Sequence, residues 1–121
     1  SAIKLQEVTY IHAEGFAGGE IKHGPIAMIE HGTPCIVFVP NQENQDILSN
    51  AQELKTRGAF IIGISEKKHE VFDYWIKVVG PDKFSPILRI IPIQALSYYL
   101  AVMKGLDPDK PRNLAKSVTV K

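Results

Sequence analysis

The chain has little sulfur and almost no charge bias. A single cysteine, Cys35, stands among 121 residues, with two methionines and one tryptophan. One thiol cannot close an intrachain disulfide, so a disulfide-stapled secreted fold is excluded. Cys35 opens the apolar run Cys35-Ile36-Val37-Phe38-Val39 and is expected as a strand thiol packed in the interior rather than as a nucleophile. A reducing cytoplasm suits this cysteine usage. Lys and Arg number 14 against 13 Asp and Glu, a formal net charge of +1. No field of one sign exists to attract nucleic acid or an anionic membrane. The N-terminus lacks a basic region followed by an apolar run, so no secretory leader is expected. The longest apolar stretch, residues 87–103, is broken by Arg89, Pro92 and Gln94, which argues against a membrane span. Phosphate-binding signatures are also missing. There is no Walker loop, no Gly-x-Gly-x-x-Gly, and no Ser/Thr-rich turn opening a helix. His12, Glu20, His23 and His31 match no zinc spacing, so neither a metal nor a cofactor is expected.

The length suits one domain with a buried core. Residues 2–16 read as a helix whose apolar positions (Ala2, Ile3, Leu5, Val8, Tyr10, Ile11, Ala13) surround the whole wheel, as expected for a helix covered on several sides. On that wheel Lys4, Glu7 and Glu14 share an arc of about 80°. The Gly15, Gly18, Gly19 and Gly24-Pro25 breaks then predict a loop carrying Glu20, Lys22 and His23. An apolar strand follows over 35–39, then an amphipathic helix over about 43–57 ended by Arg57-Gly58. Residues 59–64 and 74–79 read as further strands. Ser85-Pro86 starts a helix that should run to about Lys104, with Pro92 kinking or splitting it. Strands apolar on both faces and separated by a helix predict a parallel sheet covered on both sides, an α/β three-layer sandwich. Three strands are few for that architecture. A further strand before Ser1 would complete the sheet and account for a first helix without an N-cap.

Four residues could carry chemistry. Lys4 and Glu7 are three apart on a helix and therefore neighbours: a solvated ion pair, or an acid–base pair if the helix faces a cleft. His23, held beside Gly24-Pro25, suits proton transfer near neutral pH, although such histidines are often plain loop residues. Lys116 follows the turn-rich Asp107-Pro108-Asp109-Lys110-Pro111 in a small-residue tail ending Val118-Thr119-Val120. If that tail docks, Leu114, Ala115 and Val118 would desolvate the amine and make it a nucleophile. Otherwise Lys116 is a surface lysine.

Two blocks at opposite ends of the chain, Gly19-Glu20-Ile21-Lys22-His23-Gly24-Pro25 and Arg112-Asn113-Leu114-Ala115-Lys116-Ser117-Val118-Thr119-Val120, resemble the glucosamine-6-phosphate synthase family, whose members carry two sugar-isomerase (SIS) subdomains. Lys4-Leu5-Gln6-Glu7 and Tyr10-Ile11-His12-Ala13-Glu14 extend the likeness over essentially the whole chain. The resemblance implies a second SIS subdomain over residues 1–106 and an active-site tail over 107–121. It implies conversion of fructose 6-phosphate to glucosamine 6-phosphate, with ammonia from a separate N-terminal glutaminase domain. Carried over by motif, Lys116 resembles the Schiff-base lysine, Glu7 the base that moves a proton between C1 and C2, and Lys4 its partner. His23 resembles the ring-opening histidine, which acts on the neighbouring subunit of a homodimer, and Ala115 the residue lining the sugar. The family's phosphate-binding loops belong to the first SIS subdomain, so this chain alone is expected to be inactive. A glutaminase-free SIS isomerase or deaminase acting on amino-sugar phosphates would share this core. A non-catalytic SIS sugar-phosphate sensor would have no use for the tail.

Overall fold

The computed structural model describes residues 2–40, 45–81 and 85–113. In chain order the elements are α1 (Ala2–Thr9), two short 3-10 helices (Gly18–His23 and Pro25–Met28), β1 (Pro34–Phe38), α2 (Gln45–Thr56), β2 (Phe60–Ser65), β3 (Tyr74–Lys77) and α3 (Ser85–Met103). They fall into two compact units, one of residues 16–89 and one assembled from residues 1–15 and 90–121.

The first unit is built on the sheet. Its order is β1-β2-β3 and both pairings are parallel, with Cys35 opposite Ile61 and Ile64 opposite Ile76. The parallel sheet inferred from two-sided apolar strands is thus present. α2 buries Ala51 and Leu54, which pack with Val39, Ala59, Ile61, Val71 and Phe72 into one core. Arg57-Gly58 ends α2 as expected: Gly58 takes φ 102 while the Ala59 N–H donates to the Leu54 carbonyl. Glycine serves a different purpose at Gly63 in β2. A Cβ there would collide with the Phe72 ring, so the missing side chain lets the ring lie against the strand.

The β2–β3 pairing starts with a side chain in place of a carbonyl. The Ile61 N–H donates to the Asp73 carboxylate at 2.8 Å, and the Asp73 N–H donates back to the Ile61 carbonyl at 2.9 Å. Lys55 near the end of α2 completes the clip, its Nζ 2.9 Å from Asp73 Oδ1 and 2.9 Å from the Val71 carbonyl. The Ile61 N–H and then Lys55 hold the Asp73 carboxyl below its ordinary range. Cys35 is half-buried in β1, and desolvation pushes its thiol pKa up, as suits a packing residue.

Two expectations are corrected. The stretch predicted as a helix over 2–16 is helical only to Thr9, because Tyr10 adopts a left-handed backbone with φ 57. α1 is also not wrapped on several sides within this chain: only Val8 and Thr9 are buried, while Ile3 is 68% exposed. The helix expected from Ser85-Pro86 is present as α3, which passes through Pro92 as one 19-residue helix, so of kinking and splitting the second does not occur. Its buried residues Ile93, Ser97 and Ala101 recur every fourth position, and the Ser97 hydroxyl returns to the Ile93 carbonyl at 2.7 Å. By length and composition alone, Pro86–Met103 could cross a membrane.

Candidate functional site

The second unit holds the candidate acid–base pair. α1 places Lys4 and Glu7 one turn apart, with Lys4 Nζ 3.5 Å from Glu7 Oε2. Both side chains keep solvent contact, at 52% and 35% exposure, so the pair by itself contributes little to stability. Glu7 also lines an open cleft of about 270 Å³, together with Gln6, Tyr10, Arg112 and Asn113. A carboxylate at the wall of an open cleft is accessible to a small molecule.

The end of α1 shapes this cleft. The Thr9 hydroxyl donates back to the Leu5 carbonyl and accepts from the Ile11 N–H at 3.2 Å, while Lys104 Nζ donates to the Thr9 carbonyl at 2.7 Å. Gln6 Nε2 reaches the Ala13 carbonyl at 2.6 Å and folds the following segment back. Tyr10 then meets the far end of the chain. Its hydroxyl accepts from the Arg112 N–H at 2.7 Å, and the Arg112 guanidinium lies 3.8 Å from its ring centroid. Arg112 and Asn113 thereby become part of the wall that faces Glu7.

Glu14 does not join that pair. It lies beyond the end of α1, and its Oε1 is 3.1 Å from His12 Nε2. His23 belongs to the other unit and sits on a 3-10 helix where a loop was expected, exposed and followed by Gly24 at φ 147. Its neighbour Lys22 ties that turn to α2 through Glu53, Nζ to Oε2 3.1 Å, and Arg57 Nη2 holds the other Glu53 oxygen at 3.2 Å. Lys22 foremost, then Arg57, keeps the Glu53 carboxyl below its usual pKa. Ala115 and Lys116 lie outside the described residues. Among the described residues no three His, Cys, Asp or Glu side chains converge as metal ligands would. Gln6, Tyr10 and Asn113 were not singled out from sequence; the signal missed for Tyr10 was its place where the helix had to end.

A parallel three-stranded sheet with its connecting helix places the chain in the α/β class. The SIS domain family matches residues 1–104, and the chain belongs to it. The fold class inferred from sequence, an α/β sandwich of the SIS type, holds. Over 98% of its length the chain is 48% identical to glutamine–fructose-6-phosphate aminotransferase [isomerizing] of Pyrococcus horikoshii, and 50% identical to that of Thermococcus kodakarensis. It spans about a fifth of the length of these relatives, 21% and 20%. Among solved structures it is similar to glucosamine-6-phosphate deaminase of Thermotoga maritima, with TM-score 0.75 and 29% identity over 97% of this chain and 34% of that one. Tagatose-6-phosphate ketose/aldose isomerase of Escherichia coli shares the fold at TM-score 0.72 and 20% identity, over 98% and 35%.

Proposed function

We propose that this chain is the second SIS subdomain, residues 1–106, with the C-terminal tail, 107–121, of an isomerising glutamine–fructose-6-phosphate aminotransferase. The observation that carries the reading is near 50% identity to enzymes of that name over 98% of the chain. The Lys4–Glu7 pair beside an open cleft agrees with it. His23 opens the sugar ring, and the Lys116 amine condenses with the freed C2 carbonyl of fructose 6-phosphate, expelling water. Ammonia displaces the lysine as the C2 imine. Glu7 removes a proton from C1 and a proton is delivered to C2, while the C1 hydroxyl gives up its proton and the imine nitrogen takes one, leaving an aldehyde at C1 and an amine at C2. Lys4 orients Glu7, and Ala115 lines the sugar.

The parent supplies what this chain lacks: a glutaminase domain for ammonia, a first SIS subdomain for the phosphate, and a second copy, since His23 serves the neighbouring subunit of a homodimer. Exposed apolar residues on α3, among them Ile91, Tyr98, Tyr99 and Met103, are suited to cover by those parts. We place the enzyme in the cytoplasm. Borohydride reduction of the full-length enzyme with fructose 6-phosphate should attach sugar to the tail peptide. Undiminished attachment in Lys116→Arg overturns the assignment.

The deaminase likeness favours a second reading, a glutaminase-free SIS enzyme acting on an amino-sugar phosphate. A parent gene without a glutaminase domain, whose product releases ammonia from glucosamine 6-phosphate, would establish it.

A further inference from the structure

Tyr10 combines three features that a helix-terminal residue does not ordinarily show. Its backbone is left-handed at φ 57, a region a large side chain occupies only when the surroundings hold it there. Its hydroxyl accepts from a backbone N–H a hundred residues away, that of Arg112. Its ring carries the Arg112 guanidinium on its face. The bonds around Thr9 supply the restraint: with the Thr9 carbonyl taken by Lys104 and the Thr9 hydroxyl by the Ile11 N–H, the chain must leave the helical path at Tyr10. That departure directs the phenol to the segment after Pro111. Glu7, on α1 three residues before Tyr10, shares the cleft wall with both partners of the contact.

We propose that Tyr10 is a positioning residue that fixes the root of the C-terminal tail against the helix carrying Glu7. The proposal rests on the reading of Lys116 as the Schiff-base lysine. Lys116 is three residues beyond Asn113, within at most about 11 Å of chain. With the root fixed, the amine and the Glu7 carboxylate can serve one substrate. With it loose, the amine must search a larger volume, and turnover falls without loss of the reacting groups. The hydroxyl matters more than the Arg112 side chain, because the bond is to the Arg112 backbone N–H and survives any substitution of that residue except proline.

The test uses the full-length enzyme with fructose 6-phosphate as probe. Tyr10→Phe removes the acceptor but keeps the ring. It should lower kcat, and the borohydride-trapped sugar on the tail, by roughly five- to tenfold, the worth of one hydrogen bond, with KM and the thermal midpoint nearly unchanged. Amide hydrogen exchange at Arg112 should quicken by a similar factor. Arg112→Met should be milder on every count. Should Tyr10→Phe unfold the protein, Arg112→Pro, which deletes the donated N–H instead, reads the same bond from its other side. Wild-type turnover in Tyr10→Phe, or unchanged Arg112 exchange, overturns the positioning role. Absence of trapped sugar in the unsubstituted enzyme overturns the reading of Lys116 instead; slowed turnover with faster Arg112 exchange in Tyr10→Phe would still support the role of Tyr10.

Discussion

At the scale of single residues, two carboxylates with similar chemistry have different tasks. Glu7 faces a cleft beside Lys4, and as the proposed base it acts on the transition state rather than on ground-state binding. Glu7→Gln should therefore cut kcat by about 10²- to 10⁴-fold while binding of fructose 6-phosphate to the full-length enzyme stays within about tenfold. Near-normal turnover would leave Glu7 a surface ion-pair partner. Asp73, in contrast, is structural. Its pKa is lowered first by the Ile61 N–H and then by Lys55. A depressed folded pKa means the ionised form is favoured in the folded state. The stabilisation is fully present above the unfolded value of about 3.9 and is lost as pH falls below it through the folded value. Denaturant titrations at pH 7 and pH 3 should show Asp73→Asn less stable than wild type at pH 7, with the difference narrowing in acid. An equal difference at both pH values would refute the clip. Lys4 and Glu7 were legible as neighbours from spacing alone. Asp73 was not, because a carboxylate replacing a strand carbonyl leaves no periodic trace.

At the scale of elements, the sheet and α2 were readable because their physics is local. Three β-rich apolar runs and one amphipathic helix ended by Arg57-Gly58 state their conformations within a few residues. The length of α1 was misjudged because distant groups decide it. The stop at Tyr10 depends on Lys104, nearly the whole chain away, and no window of local sequence contains both. α3 passes through Pro92 as one helix, so the splitting that local sequence also allowed does not occur. Gly63 shows the reverse dependence, a strand position whose identity is dictated by a ring on a later loop. Gly63→Ala should cost about 1–3 kcal/mol, the usual penalty for overfilling a packed core, seen as a lower denaturant midpoint. A neutral effect would mean that Phe72 can move aside freely.

At the scale of the whole molecule, the candidate residues are divided: Lys4 and Glu7 lie in one unit and His23 in the other. The proposed service of His23 to a neighbouring subunit can be tested with mixed full-length His23→Ala and Lys116→Ala enzymes. Hybrids should regain activity, because one of their two sites carries both native residues. No recovery despite demonstrated subunit exchange would count against action in trans. The composition of the units also bears on the order of assembly. The sheet unit is one continuous stretch, Phe16–Arg89, with its strands paired in sequence order. The unit holding the cleft joins the segments on either side of that stretch and must close it as a loop, an entropic cost of roughly 4 kcal/mol from a disordered chain. Once the sheet unit has formed, most of that cost has already been met. The sheet should therefore fold first and the cleft last, and in the native protein the cleft should open first. Native-state hydrogen exchange would show this as lower protection across α1 and residues 104–113 than across β2. The candidate acid–base pair would then belong to the part of the chain that is last to become ordered.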